Sequence, residues 1–120
     1  MRPATILIIE DHASVRMLLA KVLEDAGYQV CEADNGRQGL ERFHAHPVDL
    51  VITDLEMPEM NGLEVILELT RASLGVKVIA MSGRSAEELQ KAKLIGARQT
   101  FSKPLDLSAL LGAVQYELQD

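Results

Sequence analysis

Apolar residues along the chain switch repeatedly between two spacings. Thr5-Ile6-Leu7-Ile8-Ile9 is a short β-rich run that reads as a strand buried on both faces. Val15, Leu18, Leu19, Val22, Leu23 and Ala26 then recur at helical spacing, and Gly27 sits where a helix C-terminus favours it. Gln29–Ala33 predicts a second strand, and Gly36–Ala45, with Leu40 and Phe43 on one face, a weaker second helix. The run from Asp49 to Asp54 predicts a third strand ending at an acidic residue. Met57-Pro58-Glu59-Met60-Asn61-Gly62 breaks the pattern, because proline lacks an N–H and Asn-Gly favours positive φ. Leu63, Ile66, Leu67 and Thr70 mark a third helix, and the run from Val76 to Met81 a fourth strand. Ser85 with Glu88 fits a capping box opening a helix through Leu94. Gln99–Ser102 is a short fifth strand, and Leu107, Leu110, Leu111, Val114 and Leu118 mark a final helix.

Five strand–helix pairs of this kind, each of roughly 20–25 residues, predict a parallel sheet with helices on both faces, linked by right-handed crossovers. The class is α/β, doubly wound. With 120 residues and no linker or low-complexity stretch, residues 1–120 read as a single domain.

Composition narrows the function. Hydrophobic residues make up 48% and charged residues 25%, which excludes wholesale disorder. Aromatics are 3% with no tryptophan, so the core is aliphatic. Twelve basic against eighteen acidic residues give a net charge of −6, which argues against direct nucleic-acid binding. Cys31 stands alone, so neither an internal disulfide nor a thiolate metal cluster is available. The run Ile6 to Ile9 is too short for a signal-peptide core, and no apolar stretch approaches ~20 residues. The expectation is a cytoplasmic chain with no membrane partner.

In an open α/β sheet, ligands bind beyond the carboxyl ends of the strands, where the strand order reverses. The residues to read are therefore those after each strand: Glu10-Asp11, Asp54, Ser82 and Lys103-Pro104. Three carboxylates, a hydroxyl and an ammonium meet on one edge. Carboxylates so close repel one another unless a cation intervenes. Hard oxygen ligands with few protein contacts suit Mg²⁺, which often bridges carboxylate to phosphate. Beside such a cation, a carboxylate can act as nucleophile toward a phosphoryl donor and form an aspartyl phosphate. Transfer then depends on neutralising charge around the phosphoryl oxygens, for which Lys103 and Ser82 supply an ammonium and a donor.

The segments Ile8-Ile9-Glu10-Asp11, Thr53-Asp54-Leu55-Glu56-Met57-Pro58 with Asn61-Gly62, Met81-Ser82-Gly83 and Ser102-Lys103-Pro104 together resemble the receiver domain of two-component response regulators. The likeness runs from Thr5 to about Leu118, with the motifs in the family's order and spacing. It implies a five-stranded, flavodoxin-like (βα)5 fold of strand order 2-1-3-4-5 and a phosphorylation-activated switch, not a turnover enzyme. Asp54 would accept the phosphoryl group from a phosphohistidine on a sensor histidine kinase or phosphotransfer protein. Asp11, Glu10 largely through water, Asp54 and the backbone carbonyl of Glu56 would hold Mg²⁺. Ser82 would move inward to the phosphate, Lys103 would pair with phosphoryl oxygens, and the Lys103–Pro104 bond would be cis. Glu56 and Arg84 match positions that flank the phosphoryl group, where the two side chains could pair across the site and slow hydrolysis.

One departure stands out. Three residues before Lys103 many receivers carry Tyr or Phe, whereas this chain has Thr100, with Phe101 on the opposite side by strand alternation. The alternative function is a receiver-like interaction domain that works without phosphorylation. A haloacid-dehalogenase-like phosphatase would need a second aspartate two residues after the nucleophile, where this chain has Glu56. Each motif alone has a plainer reading: Glu10-Asp11 as a solvated loop, Asp54 as a turn or capping acid, Ser82 as a turn cap. His44 and His46 read as surface residues in a helix-end loop, and His12 borders the acidic pocket. Met17, Met57, Met60 and Met81 read as core or loop filling, and Cys31 as a small buried hydrophobe. The chain ends soon after the fifth helix, so the signal would pass to a downstream protein target or to an output domain outside this chain.

Overall fold

The computed structural model describes residues 2–119. The elements alternate as β1 (Thr5–Ile9), α1 (Ala13–Asp25), β2 (Gln29–Ala33), α2 (Gly36–Ala45), β3 (Leu50–Asp54), α3 (Gly62–Ala72), β4 (Val78–Ser82), α4 (Ala86–Leu94), β5 (Gln99–Ser102) and α5 (Leu107–Leu118). All five strands pair in parallel in the order β2-β1-β3-β4-β5. This is the expected doubly wound, flavodoxin-like arrangement. The strand order reverses between β1 and β3, so a crevice opens at their carboxyl ends.

Strand alternation sorts the core into two layers. Leu7, Ile9, Val51, Val78 and Ala80 face the side covered by α2, α3 and α4. Ile6, Ile8, Leu50, Ile52, Ile79 and Met81 face α1 and α5. Every residue of β3 and β4 is buried, and each Leu or Ile so enclosed contributes ~1.5–3 kcal/mol. The edge strands β2 and β5 are only partly covered. Cys31 accordingly lies half-buried on an edge strand, less enclosed than its apolar setting suggested. Met57 and Met81 fill the core as expected, but Met17 projects from α1 with 64% of its surface exposed.

The helix ends follow their local chemistry. After α1 the N–H groups of Gly27 and Tyr28 donate to the carbonyls of Glu24 and Leu23, and Gly27 takes the positive φ of +99° that this closure requires. Asn35, Asn61, Ser85 and Asp106 cap the next four helices through their side chains. Half of the expected box on α4 forms: Ser85 Oγ accepts from the N–H groups of Glu87 and Glu88, while Glu88 pairs with Lys91. His44 belongs to the last turn of α2, not a loop, where its ring packs edge-on against Phe43. At the amino-terminal edge of the sheet, buried Glu117 accepts from Arg98 Nη1 at 3.4 Å and Gln99 Nε2 at 3.0 Å, and its carbonyl accepts from Lys77 Nζ. This network ties α5 to the starts of β4 and β5. Among the described residues no helix is long and apolar enough to cross a membrane.

Two glycines make opposite demands. A Cβ on Gly62 would lie 2.7 Å from Leu55 Cα and against the carbonyl oxygen of Asp54, so α3 can start against the end of β3 only without a side chain there. A Cβ on Gly112, within α5, would meet nothing within 4 Å. Gly62→Ala is therefore expected to lower stability by ~2–3 kcal/mol through forced backbone movement. Gly112→Ala is expected to raise it by ~0.5–1 kcal/mol through helix propensity. Thermal denaturation followed by circular dichroism measures both, and a stable Gly62→Ala would show that the close approach is not needed.

Candidate functional site

Beyond the carboxyl ends of the strands, the chain gathers a charged cleft of about 920 Å³ whose lining includes Asp11, Asp54, Glu56, Arg84 and Lys103. Glu10 leaves β1 fully buried, its N–H donating to the Ala33 carbonyl and its own carbonyl accepting from Arg16 Nη1 at 2.8 Å. Asp54 is the last residue of β3 and is 1% exposed. Lys103 arrives from β5 after its N–H donates to the Ser82 carbonyl at 2.8 Å, which extends the ladder one residue past the strand. The Lys103–Pro104 bond is cis.

The Lys103 ammonium is the hub. It donates to Glu10 Oε1 at 2.7 Å and lies 3.5 Å from Asp54 Oδ2. The other oxygen of Glu10 accepts from the His12 N–H at 3.0 Å and lies 3.2 Å from His12 Nδ1. Asp54 Oδ1 accepts from the Glu56 N–H at 3.3 Å. Asp11 Oδ1 is buried without a hydrogen-bond partner, although His12 Nδ1 approaches it to 3.3 Å outside hydrogen-bonding geometry.

These contacts set the protonation of the pocket. Burial, and then the nearby Glu10 charge, push the Asp54 carboxyl up to about 7, against the pull of Lys103. Burial also works against the Glu10 charge, but the hydrogen bond from Lys103 and the His12 amide outweigh it and hold that carboxyl below its ordinary value. Lys103 loses by burial and gains more from Glu10 and Asp54, so its ammonium is held more tightly than usual. Among the described residues, Lys103 is the one lysine or arginine that pairs with any of the carboxylates of Glu10, Asp11, Asp54 and Glu56, an imbalance that favours a further positive charge.

Ligand atoms of Glu10, Asp11, His12 and Asp54 lie within 4.8 Å of one another. The unpartnered oxygen of Asp11, together with this excess of hard donors, fits a divalent cation. Three of the four expected metal ligands are thus brought together by their side chains, and His12 joins them as the α1 N-cap residue. His44 and His46 belong to no such cluster among the described residues.

The rim of the cleft departs from the expected pairing. Glu56 does not reach Arg84; it turns to β4, accepting from the Ser82 hydroxyl at 2.5 Å and the Gly83 N–H at 2.8 Å. Arg84 lines the cleft and makes no ion pair among the described residues. A hydroxyl and an amide already converge where the Glu56 carboxylate lies, so two short hydrogen bonds replace one flexible surface ion pair. Spacing two residues beyond Asp54 shows that Glu56 borders the site but not which neighbour it bonds. Thr100, half-buried on β5 opposite Ala80, lies outside the cleft lining, and Phe101 packs toward α1 and α5 as alternation requires.

Comparison with known proteins converges on one family. The response regulator receiver domain family matches residues 6–115. The chain is 36% identical over 112 residues to the chemotaxis protein CheY of Thermotoga maritima, covering 91% of this chain and 92% of that protein. It is 33% identical over 111 residues to sporulation initiation phosphotransferase F of Bacillus subtilis, covering 92% and 90%. The crystal structure of response regulator protein TrrA from Thermotoga maritima, in complex with Mg²⁺ and BeF, superposes with a TM-score of 0.88 at 30% identity, covering 96% of this chain and 99% of that one.

The raised carboxyl of Asp54 has a consequence for stability. Between its ordinary value of 3.8 and about 7, the folded chain holds a proton that the unfolded chain has released. Stability therefore falls as pH rises through this window, and the penalty is complete above it. Glu10 acts oppositely: its contribution is present above its ordinary value and lost as pH falls through its lowered one. In metal-free buffer, Asp54→Asn is expected to stabilise the fold by on the order of 2 kcal/mol at pH 8 and by little at pH 4. Denaturant melts across that range test this, and a gain independent of pH would refute the assignment.

Proposed function

We propose that this chain, which belongs to the response regulator receiver domain family, is a single receiver domain spanning residues 1–120 that works in the cytoplasm as a phosphorylation-operated switch. The observation that carries the reading is the buried Asp54 carboxylate with the Lys103 ammonium 3.5 Å from one of its oxygens at the base of an open cleft. In the proposed transfer, a phosphohistidine on a sensor histidine kinase or phosphotransfer protein presents its phosphorus to the ionised Asp54. A carboxylate oxygen forms the new O–P bond as the P–N bond breaks, and its electron pair remains on the imidazole.

Asp11, Glu10, Asp54 and the Glu56 backbone carbonyl would hold Mg²⁺, with Glu10 acting largely through water. The cation supplies charge neutralisation between carboxylate and phosphoryl oxygens. Lys103 takes a second phosphoryl oxygen, and the Ser82 hydroxyl donates to a third. The aspartyl phosphate adds about −2 charge at the switch point. It shifts a pre-existing equilibrium between two arrangements of the loops after β3 and β4, and with it the preference for a downstream protein partner or an output domain. Receiver domains act as signalling switches and not as turnover enzymes; here the only reactions proposed are the chain's own phosphorylation and dephosphorylation. With Thr100 where many receivers carry an aromatic, output relies on the β4–α4 segment.

Intact mass after incubation with acetyl phosphate tests this. Wild type is expected to gain one phosphoryl group only with Mg²⁺ present, and Asp54→Asn to gain none. Labelling that survives Asp54→Asn would move the acceptor elsewhere. Absence of labelling by both acetyl phosphate and a histidine kinase, in folded wild type, would favour an interaction domain independent of phosphorylation.

A further inference from the structure

The single proton of the Ser82 hydroxyl is committed in this structure. It is donated to Glu56 Oε2 at 2.5 Å, while Ser82 Oγ accepts from the N–H groups of Arg84 at 3.2 Å and Ser85 at 3.4 Å. The second oxygen of Glu56 accepts from the Gly83 N–H at 2.8 Å. One carboxylate from the β3–α3 loop therefore clasps the last residue of β4 and the first of the loop that follows. The same residue is tied to Asp54, whose Oδ1 accepts from the Glu56 N–H at 3.3 Å. A hydroxyl has one proton, so Ser82 cannot donate to Glu56 and to a phosphoryl oxygen on Asp54 together. A phosphoryl group on Asp54 would also place about −2 charge beside the Glu56 carboxylate, and like charges in a confined site repel.

We propose that Glu56 is a latch on the β4–α4 segment: its carboxylate holds the Ser82 hydroxyl and the Gly83 amide in the unphosphorylated state and is expelled when Asp54 is modified. The proposal rests on the reading of Asp54 as phosphoryl acceptor. Glu56 is here a positioning residue, acting through Ser82 and not on the phosphoryl group. It makes the aspartyl phosphate compete against a contact already formed, so the segment stays in its resting arrangement until the modification arrives. A latch that favours the resting state tenfold would weaken the apparent affinity for a phosphoryl analogue by about tenfold. Arg84, unpaired with Glu56 at rest, is the cation nearest in sequence to Ser82 that the released carboxylate could meet.

Beryllofluoride with Mg²⁺ serves as the phosphoryl probe, with affinities measured for wild type, Glu56→Ala, Ser82→Ala and the double variant. Each variant keeps the Glu56 backbone carbonyl. Glu56→Ala is expected to tighten binding about five- to twentyfold with Ser82 present, and by less than half that factor in the Ser82→Ala background. Without the probe, the Gly83 amide is expected to exchange with solvent at least about tenfold faster in Glu56→Ala. Glu56→Gln, which keeps the side-chain shape, gives the same comparison if Glu56→Ala does not fold, with a tightening of about threefold expected. An equal gain in both serine backgrounds would reduce Glu56 to a repelling charge and overturn the latch, as would no gain at all. Wild type that fails to bind the probe would remove the reading of Asp54 and the latch with it. Wild type that binds, with no gain in the variants, would sink the latch alone.

Discussion

A single half-buried ammonium, that of Lys103, makes this arrangement of acids possible. Lys103 spans Glu10 at 2.7 Å and Asp54 at 3.5 Å, both carboxylates essentially without solvent contact. Without that cation the carboxyl ends of β1 and β3 could not both carry ionised acids, since an unpaired buried charge is strongly disfavoured. The sheet is built to deliver it. The order β2-β1-β3-β4-β5 sets β1 and β3 side by side, and the extension of the ladder past β5, through the Lys103 N–H to the Ser82 carbonyl, brings the long side chain across β4. The aliphatic layers above and below hold the strand ends in register, so a core without tryptophan supports a polar site of fixed geometry.

The charge balance of the cleft floor remains incomplete. One ammonium satisfies Glu10 and only partly offsets Asp54, whose carboxyl stays near 7 because burial and the Glu10 charge outweigh Lys103. Asp11 keeps a buried oxygen without a partner. The donor set fits a divalent cation, and under the proposed function a cation there would hold Asp54 ionised. Around the rim the wiring is complete by contrast: the Ser82 hydroxyl, the Gly83 amide and the Glu56 carboxylate satisfy one another.

Much of this was legible in the sequence because it depends on the chain's local order. Alternating hydrophobic periods marked all five strand–helix pairs, with boundaries displaced by a residue or two where Asp49, Val76 and Lys77 precede their strands and Ser82 completes β4. Residues at strand ends meet at one edge of any parallel sheet, so the chain order alone groups Glu10, Asp11, Asp54, Ser82 and Lys103. What stayed hidden was the choice among neighbours. The partner of Glu56 depends on side-chain directions in two loops from distant parts of the chain, and spacing pointed to Arg84 where packing selects Ser82 and Gly83. The buried Glu117 was invisible for the same reason: its partners Lys77, Arg98 and Gln99 come from two other strands' starts. Met17 on α1 and Cys31 on β2 were misjudged because an apolar residue type alone does not say whether anything covers the position.

The claim that the acidic floor is an incompletely neutralised trap for a divalent cation is tested most directly by proton release on Mg²⁺ binding. Calorimetric titration of wild type and Asp54→Asn, repeated near pH 7 in buffers of different ionisation enthalpy, counts the protons displaced. Wild type is expected to release on the order of half a proton, since Asp54 is then about half protonated without metal, and Asp54→Asn to release almost none. Mg²⁺ binding by wild type with no proton release would contradict the claim, because Asp54 would then already be ionised in the metal-free pocket.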